Sequence, residues 1–331
     1  MFRVFYLGSG VGPRYDDRGR HAARDHAVTE LHVNFTGADN FVGVTAAAPV
    51  ELLDLGWSRT FTSPQTTDNK MAMVSANGSV KATPSLTFSG VGYYRWFQQQ
   101  HQDGNIAEAV ECNGGGVGTL CWDDPDFPDN QVLDQNGKPV PVVAGQVRGH
   151  DIEQLGSIDK TSQEADSYGG SVQGVDKTRV FGLPNQFLVG ASYDHGSVAY
   201  NASSELGFFG PLFVVNTFNP AINMTAPSDV RPRMIDTTNQ YVGVYFSDTL
   251  DLTRALSLTV GGRYNYAKLD IDNLNPDPAT GDLLSGSHTY ERFNPMGGVT
   301  YKIVPGLSVY GSYAEANRAP TAAELACADP E

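Results

Sequence analysis

Two-residue alternation over residues 256–314 limits the fold of this chain more than any other feature. Leu256, Leu258, Val260, Gly262, Tyr264 and Tyr266 alternate with Ser257, Thr259, Gly261, Arg263, Asn265 and Ala267. A β-strand sends successive side chains to opposite faces, so this segment has an oily face ending in tyrosines and a polar face carrying a charge. Val299, Tyr301 and Ile303 repeat the pattern, and Val304-Pro305-Gly306 turns the chain. Leu307, Val309, Gly311 and Tyr313 then return against Ser308, Tyr310, Ser312 and Ala314. A soluble sandwich strand can share this period. A strand of an outer-membrane barrel also ends its lipid face in tyrosine rings, which settle at headgroup level.

The same alternation marks Leu31, Val33 and Phe35, residues 71–79, and the run Leu86, Phe88, Gly90, Gly92, Tyr94 and Trp96. It returns over 169–180, at Phe187, Val189, Ala191 and Tyr193, over 241–248 and over 256–271. Short turns at 80–84, 181–185, 249–255 and 304–306 are separated by long irregular stretches at 98–167, 201–239 and 272–287. An up-and-down barrel in the outer membrane has this parity, with short periplasmic turns and long external loops. Structureless loops of such length are otherwise uncommon in a compact domain. The expected fold is therefore all-β: an antiparallel transmembrane up-and-down barrel of about nine or ten strands. No run of about 18 apolar residues exists, which excludes a transmembrane helix but not barrel strands, which need only about 10 residues each.

Net charge is −15, which argues against nucleic acid as a partner because phosphate binding requires a basic stripe. Much of the acidity falls in expected loops, as at Asp123-Asp124-Pro125-Asp126 and over 270–282. Acidic loops of this kind keep a surface soluble; a hard-cation site is the sharper reading, and no EF-hand spacing supports it. Of the three cysteines, Cys112 and Cys121 flank Asn113-Gly114-Gly115-Gly116-Val117-Gly118 inside one long loop. A structural disulfide between them is expected in an oxidising compartment. Zinc is not, since two cysteines without a histidine pair do not supply four ligands. Cys327 is left over.

After Tyr313 the chain reads Ala314-Glu315-Ala316-Asn317-Arg318-Ala319-Pro320-Thr321-Ala322-Ala323-Glu324-Leu325, and Arg292-Phe293-Asn294-Pro295 opens the strand before. The stretch resembles the Y-x-x-x-x-R-A-P-x-x-x-E-L motif of TonB-dependent receptors, the energised outer-membrane transporters. The resemblance implies residence in the cell outer membrane and uptake of a scarce large solute, usually a ferric siderophore. It also implies a TonB-type energy-transducing partner that acts through an N-terminal plug. No plug or motor-binding box is recognisable in residues 1–331, and the resemblance implies a 22-stranded plugged barrel, so the chain is expected to be a fragment, an incomplete barrel of about half those strands supplying wall and external loops. Its divisions are expected to be a poorly patterned segment, 1–26, and the partial barrel, 27–331, with edges near Leu31 and Val309. Partners are outer-membrane lipid, the TonB-type protein and the iron-bearing ligand.

No catalytic constellation or cofactor motif stands out, and an enzyme is not expected. Gly8-Ser9-Gly10-Val11-Gly12 has the look of a nucleotide loop, but Pro13 to Asp17 does not open a helix. His21 and His26 lie in a poorly patterned segment, and neither a Gly-x-Ser-x-Gly elbow nor His-Glu-x-x-His is present. Arg318, Pro320 and Glu324 mark a strand end: Pro320 stops the ladder, while Arg318 satisfies carbonyls or a carboxylate. A ligand contact is the alternative role for them. Arg95 and Arg263 are expected to face the lumen. Trp122, Phe127, Tyr168, Phe208, Phe209, Phe213 and Phe218 either line an external vestibule for an aromatic ligand or pack the loops on one another; the ligand-binding residues are left unassigned. Two other functions share parts of the pattern. A passive porin-like or secretion channel would show the period and loop parity without the paired motifs, and a soluble β-sandwich binding module would show the period alone.

Overall fold

The computed structural model describes residues 2–11, 29–43, 47–123, 130–142, 152–227, 230–276, 281 and 284–326. In chain order the elements are β1 (Phe2–Val11), β2 (Thr29–Gly43), helix α1 (Val50–Asp54), β3 (Gln65–Lys81), β4 (Leu86–Ile106), β5 (Ala109–Glu111) and β6 (Leu120–Trp122). There follow β7 (Leu155–Asp176), β8 (Asn185–Phe209), β9 (Val215–Asn223), β10 (Arg233–Asp251), β11 (Leu256–Asn273), β12 (Gly286–Val304), β13 (Leu307–Ala314) and helix α2 (Ala322–Ala326). All strands but β5 and β6 form one 11-stranded antiparallel sheet, in the order β1-β2-β3-β4-β7-β8-β10-β11-β12-β13 with β9 on β8. Among the described residues the two ends of that order are not paired with each other, so the sheet is open. It is the incomplete up-and-down barrel wall that the alternation requires.

The register keeps one face apolar from strand to strand. Leu31 stands opposite Gly78, which stands opposite Gly90, then Val172, Ala191 and Val244. Farther on, Val244 opposes Tyr264, Tyr264 opposes Phe293, and Leu258 opposes Val299. Leu258, Val260 and Tyr264 remain 42%, 49% and 42% exposed, and Val299, Tyr301, Val309 and Tyr313 are likewise exposed. A period-2 face of large apolar side chains left bare across the whole sheet is stable only against hydrocarbon. Thr259, Arg263 and Asn265 lie on the opposite face, which is the lumen wall.

Glycine matters to this wall at Gly170 and Gly243. A Cβ at Gly170 would come within 2.5 Å of the Val91 carbonyl oxygen, and one at Gly243 would strike the Arg263 guanidinium. The first keeps two strands close, and the second makes room for a lumenal cation.

Several boundaries differ from the sequence expectation. The stretches 98–167 and 201–239 are shorter as loops, because β4 runs on to Ile106, β7 begins at Leu155, β8 reaches Phe209 and β10 starts at Arg233. β8 is 25 residues long, whereas a tilted strand crosses the hydrocarbon in about 10. The surplus stands above the lipid, where both faces meet water or the cap. The apolar alternation therefore lapses there while the hydrogen-bonded ladder continues. Segment 1–26 also holds a strand that the sequence did not announce: Phe2–Val11 pairs with β2 from Phe2↔Asn40 to Val11↔Leu31. The edge expected near Leu31 is thus covered, and β1 is the outer strand at that end. At the other end β13, which holds Val309, pairs with β12 alone.

The buried core lies beyond the membrane strands, at the long-loop end. Ala107, Leu120, Val132, Val140, Leu155, Leu206, Phe218, Met224 and Val230 form one cluster, with Leu120, Leu155 and Leu206 fully enclosed. Leu155 and Leu206 share the lumen face of β7 and β8, so the long external loops fold back over the outer mouth as a cap. The expectation of a loop with no other structure is corrected: residues 107–142 contain the β5–β6 hairpin, and Val132 NH donates to the Leu120 carbonyl at 2.8 Å. At one end of that hairpin Cys112 and Cys121 are joined by a disulfide, with their Cα atoms 4.9 Å apart. We expect this bond in the exported protein, read as a single disulfide-linked peptide pair by mass spectrometry without reduction; two free thiols would contradict it. Cys327, His21, His26, Phe127 and Asp124-Pro125-Asp126 lie outside the described residues.

Candidate functional site

The lumen wall of β8, β10, β11 and β12 carries a continuous polar network. Strand alternation aims Arg263 inward. Its Nε donates to Asn265 Oδ1 at 2.6 Å and its Nη2 to Ser192 Oγ at 2.8 Å. The guanidinium lies 5.3 Å from the centre of the Tyr245 ring, and Tyr245 in turn donates to Gln173 Oε1 at 3.2 Å. Arg95 lines a neighbouring recess with Tyr93, Asp194 and Tyr241, in which Tyr93 OH donates to Asp194 Oδ1 at 2.8 Å. Both arginines therefore face the lumen. A guanidinium that is stacked and hydrogen-bonded holds its position while keeping its full charge available to a solute.

A strap that follows β13 docks on the same wall. Glu315 NH donates to the Pro295 carbonyl at 3.1 Å, and the Glu315 carboxylate receives Arg292 Nη2 at 3.0 Å and Tyr313 OH at 2.9 Å. Asn317 Oδ1 accepts from Asn265 Nδ2 at 3.2 Å and from Asn294 Nδ2 at 2.6 Å. The direction of these bonds follows from Arg263, which can only donate. Asn265 must show it an oxygen and so turns its amide nitrogen to Asn317. Asn317 must accept there, and its oxygen also takes the Asn294 nitrogen. The sequence ends on Asn294 Oδ1, an acceptor without a partner among the described residues, on a residue only 7% exposed. Strap and wall line an open groove of about 760 Å³, with Tyr241, Tyr245, Arg263, Tyr290, Asn294 and Arg318 among its walls.

The strap then enters α2 through a reciprocal cap. Glu324 NH donates to Thr321 Oγ1 at 3.2 Å, and Thr321 NH donates to Glu324 Oε2 at 2.7 Å, which satisfies two otherwise open helix-terminal groups. Arg318 donates to both carboxylate oxygens of Glu324, through Nη1 at 2.7 Å and through Nη2. This fork, with help from the Thr321 NH, holds the Glu324 carboxyl down at about 2. Arg318 and Glu324 therefore hold the strap's turn in shape.

At the outer mouth, Asp159 gathers Asn105 Nδ2 at 2.7 Å and Ser204 Oγ at 2.5 Å, and Lys160 pairs with Glu205 at 2.6 Å. A recess of about 400 Å³ lies here, lined by Trp122, Arg231 and Arg233 among others. The aromatic candidates separate into two groups. Phe208 and Phe218 lie tilted against each other with centroids 5.2 Å apart, and with Trp122 they pack the cap core. Phe209 and Phe213 form an edge-on group with Phe61. Tyr168 is no loop residue: it stands on the lipid side of β7, stacked against His195 with centroids 4.8 Å apart. Sequence reasoning missed Asn317, Asn294 and Asp159, whose partners are distant in the chain.

Comparison with known proteins agrees with this architecture. The family described as TonB dependent receptor-like, beta-barrel matches residues 10–330. No curated protein matches the sequence. Among solved structures, the unliganded ferric citrate transporter FecA superposes with a TM-score of 0.55 at 10% identity, over 87% of this chain and 36% of its own. BauA, the ferric preacinetobactin receptor of Acinetobacter baumannii, gives 0.54 at 14% identity over 94% and 39%. The open form of the ferric-catecholate import receptor Fiu of E. coli K12 gives 0.55 at 10% identity over 94% and 53%. Such identities show a shared fold, and the chain spans between 36% and 53% of the lengths of these three. With the family match over nearly its whole length, the chain belongs to the TonB-dependent receptor β-barrel family of the outer membrane.

Proposed function

We propose that this chain supplies wall, strap and external cap to a transporter that takes up a scarce large solute, a ferric siderophore, under the drive of a TonB-type protein. The observation that carries this reading is the folded cap over a polar, arginine-bearing lumen. A passive channel gains nothing from a buried core at its mouth, whereas a receptor needs a shaped, water-poor surface there to hold its ligand. The three solved relatives are named for ferric citrate, ferric preacinetobactin and ferric catecholate, which sets the ligand class to test first. Coupling to the energy-transducing partner belongs to a plug rather than to this wall.

The test uses cells with and without the full-length gene, starved of iron and offered radioactive iron as citrate, catecholate or hydroxamate complexes. We expect one complex to be accumulated through the gene product, and a protonophore to abolish that accumulation. Uptake that survives the protonophore would make the protein a passive channel, and a product recovered free of membranes would make it a soluble binding module.

A further inference from the structure

The two ends of the wall differ in charge. The chain as a whole is strongly acidic, yet five cations gather at the short-turn end. Lys177 and Arg179 lie in the β7–β8 turn, Arg254 in the β10–β11 turn, and Lys81 and Lys302 flank the other two. All five are exposed, and among the described residues none has an ion-pair partner. The carboxylates at this end keep their charge: Asp176, which accepts from Thr178, Asp251, which accepts from Ser257, and the exposed Glu30, so among the described residues the five cations exceed them by two. The turns also form one continuous rim. Lys177 NH bonds the Ser85 carbonyl at 2.9 Å, Asp251 NH the Pro184 carbonyl at 3.0 Å, and Lys302 NH the Ala255 carbonyl at 2.8 Å.

Phe181 stands at the tip of this rim. It is 96% exposed and, with Gly182, takes a positive φ, 50° and 76°. Val180 and Leu183 exchange two backbone hydrogen bonds around the pair, so this is a two-residue hairpin turn of the kind that favours Asn-Gly. A bulky side chain is a true outlier in that conformation. Arg179 braces it, with Nε and Nη2 donating to the Gly182 carbonyl at 3.0 and 2.7 Å. A bare aromatic ring is thus held at a costly backbone position beside unpaired cations, just past the lipid-facing Phe187 and Val189.

We infer that this rim is a phospholipid-binding surface, which seats the phosphates of anionic headgroups in the periplasmic leaflet on Lys177, Arg179 and Arg254 and inserts Phe181 between them. Lys81 and Lys302 extend the surface to either side. Cations near a membrane surface favour anionic lipid severalfold each, and an aromatic ring at the headgroup level adds attachment that does not depend on charge.

The full-length receptor, purified in detergent, should be offered phosphatidylglycerol and phosphatidylcholine of identical acyl chains, and retained lipid counted by native mass spectrometry. Preferential retention of phosphatidylglycerol is expected, and Lys177→Gln with Arg254→Gln should cut the preference about tenfold or more. Lys138→Gln, in the cap, should leave it unchanged. Arg179→Lys keeps the charge but loses the fork, and should retain the preference. Phe181→Gly should lower retention of both lipids while leaving thermal stability the same or higher, because glycine relieves the positive φ. Equal retention of the two lipids, a preference that survives loss of the turn charges, or full competition by inorganic phosphate at the lipid's concentration would overturn the proposal.

Discussion

Replacing Leu206 by alanine in the full-length receptor should loosen the external cap by about 2–5 kcal/mol without disturbing the membrane-spanning wall. Leu206 is fully enclosed among Leu120, Leu155, Phe218 and Met224, and this one cluster is the core of the cap. The lost methylenes remove burial energy and leave a cavity that the disulfide-linked hairpin can collapse into only in part. Because about 1.4 kcal/mol is a tenfold change in equilibrium, cleavage of residues 107–142 by an externally added protease should rise about thirtyfold or more. Val189→Ala on the same strand faces hydrocarbon rather than a packed core, and should leave the cap's cleavage rate unchanged. Equal cleavage of the Leu206→Ala and unmodified proteins would mean that the cluster does not hold the cap together.

The part of the fold that was legible in the sequence is the part in contact with lipid. Where one face meets hydrocarbon and the other water, every second residue is constrained, so the stretch from Leu256 to Tyr266 states both the strand and its orientation. Past the lipid boundary that constraint ends. Gln98, Gln99 and Gln100 carry no alternation, yet they continue β4 because Glu164, Gln163 and Ser162 of β7 pair with them. The cap was illegible for a different reason. Leu120, Val140, Leu206 and Met224 are scattered along the chain, and only long-range pairing brings them together.

The candidate site divides in the same way. Arg263 was readable as lumenal because its neighbours alternate. Thr321 and Glu324 were readable in principle, since a Thr three residues before a Glu is the signature of a capping box. Asn317 gave no signal: its importance rests on facing Asn265 and Asn294, a pairing set by the register of β11 with β12 and by the path of the strap. Tyr168 was misplaced in a loop because Gly169 and Gly170 looked like a strand's beginning, while the ladder in fact runs back through them to Leu155.

Everything above depends on which face of the wall meets lipid, and a pair of adjacent substitutions measures that directly. Val260 lies on the apolar face between the short turn and the Tyr264 ring, opposite Gly297 and Asp248. Thr259 lies on the lumen face, where its Oγ1 is 2.9 Å from that of Thr249. An arginine in the lipid band should cost about 2–4 kcal/mol, against the loss of one modest hydrogen bond, about 0.5–1.5 kcal/mol, in the lumen. The measurement is refolding of full-length Val260→Arg and Thr259→Arg receptors into lipid vesicles across a urea series, read by heat-modifiable mobility on gels. Val260→Arg should lose the folded band at clearly lower urea than Thr259→Arg, which should stay close to the unmodified protein. Equal midpoints, or the reverse order, would contradict the register and the orientation of the wall built on it.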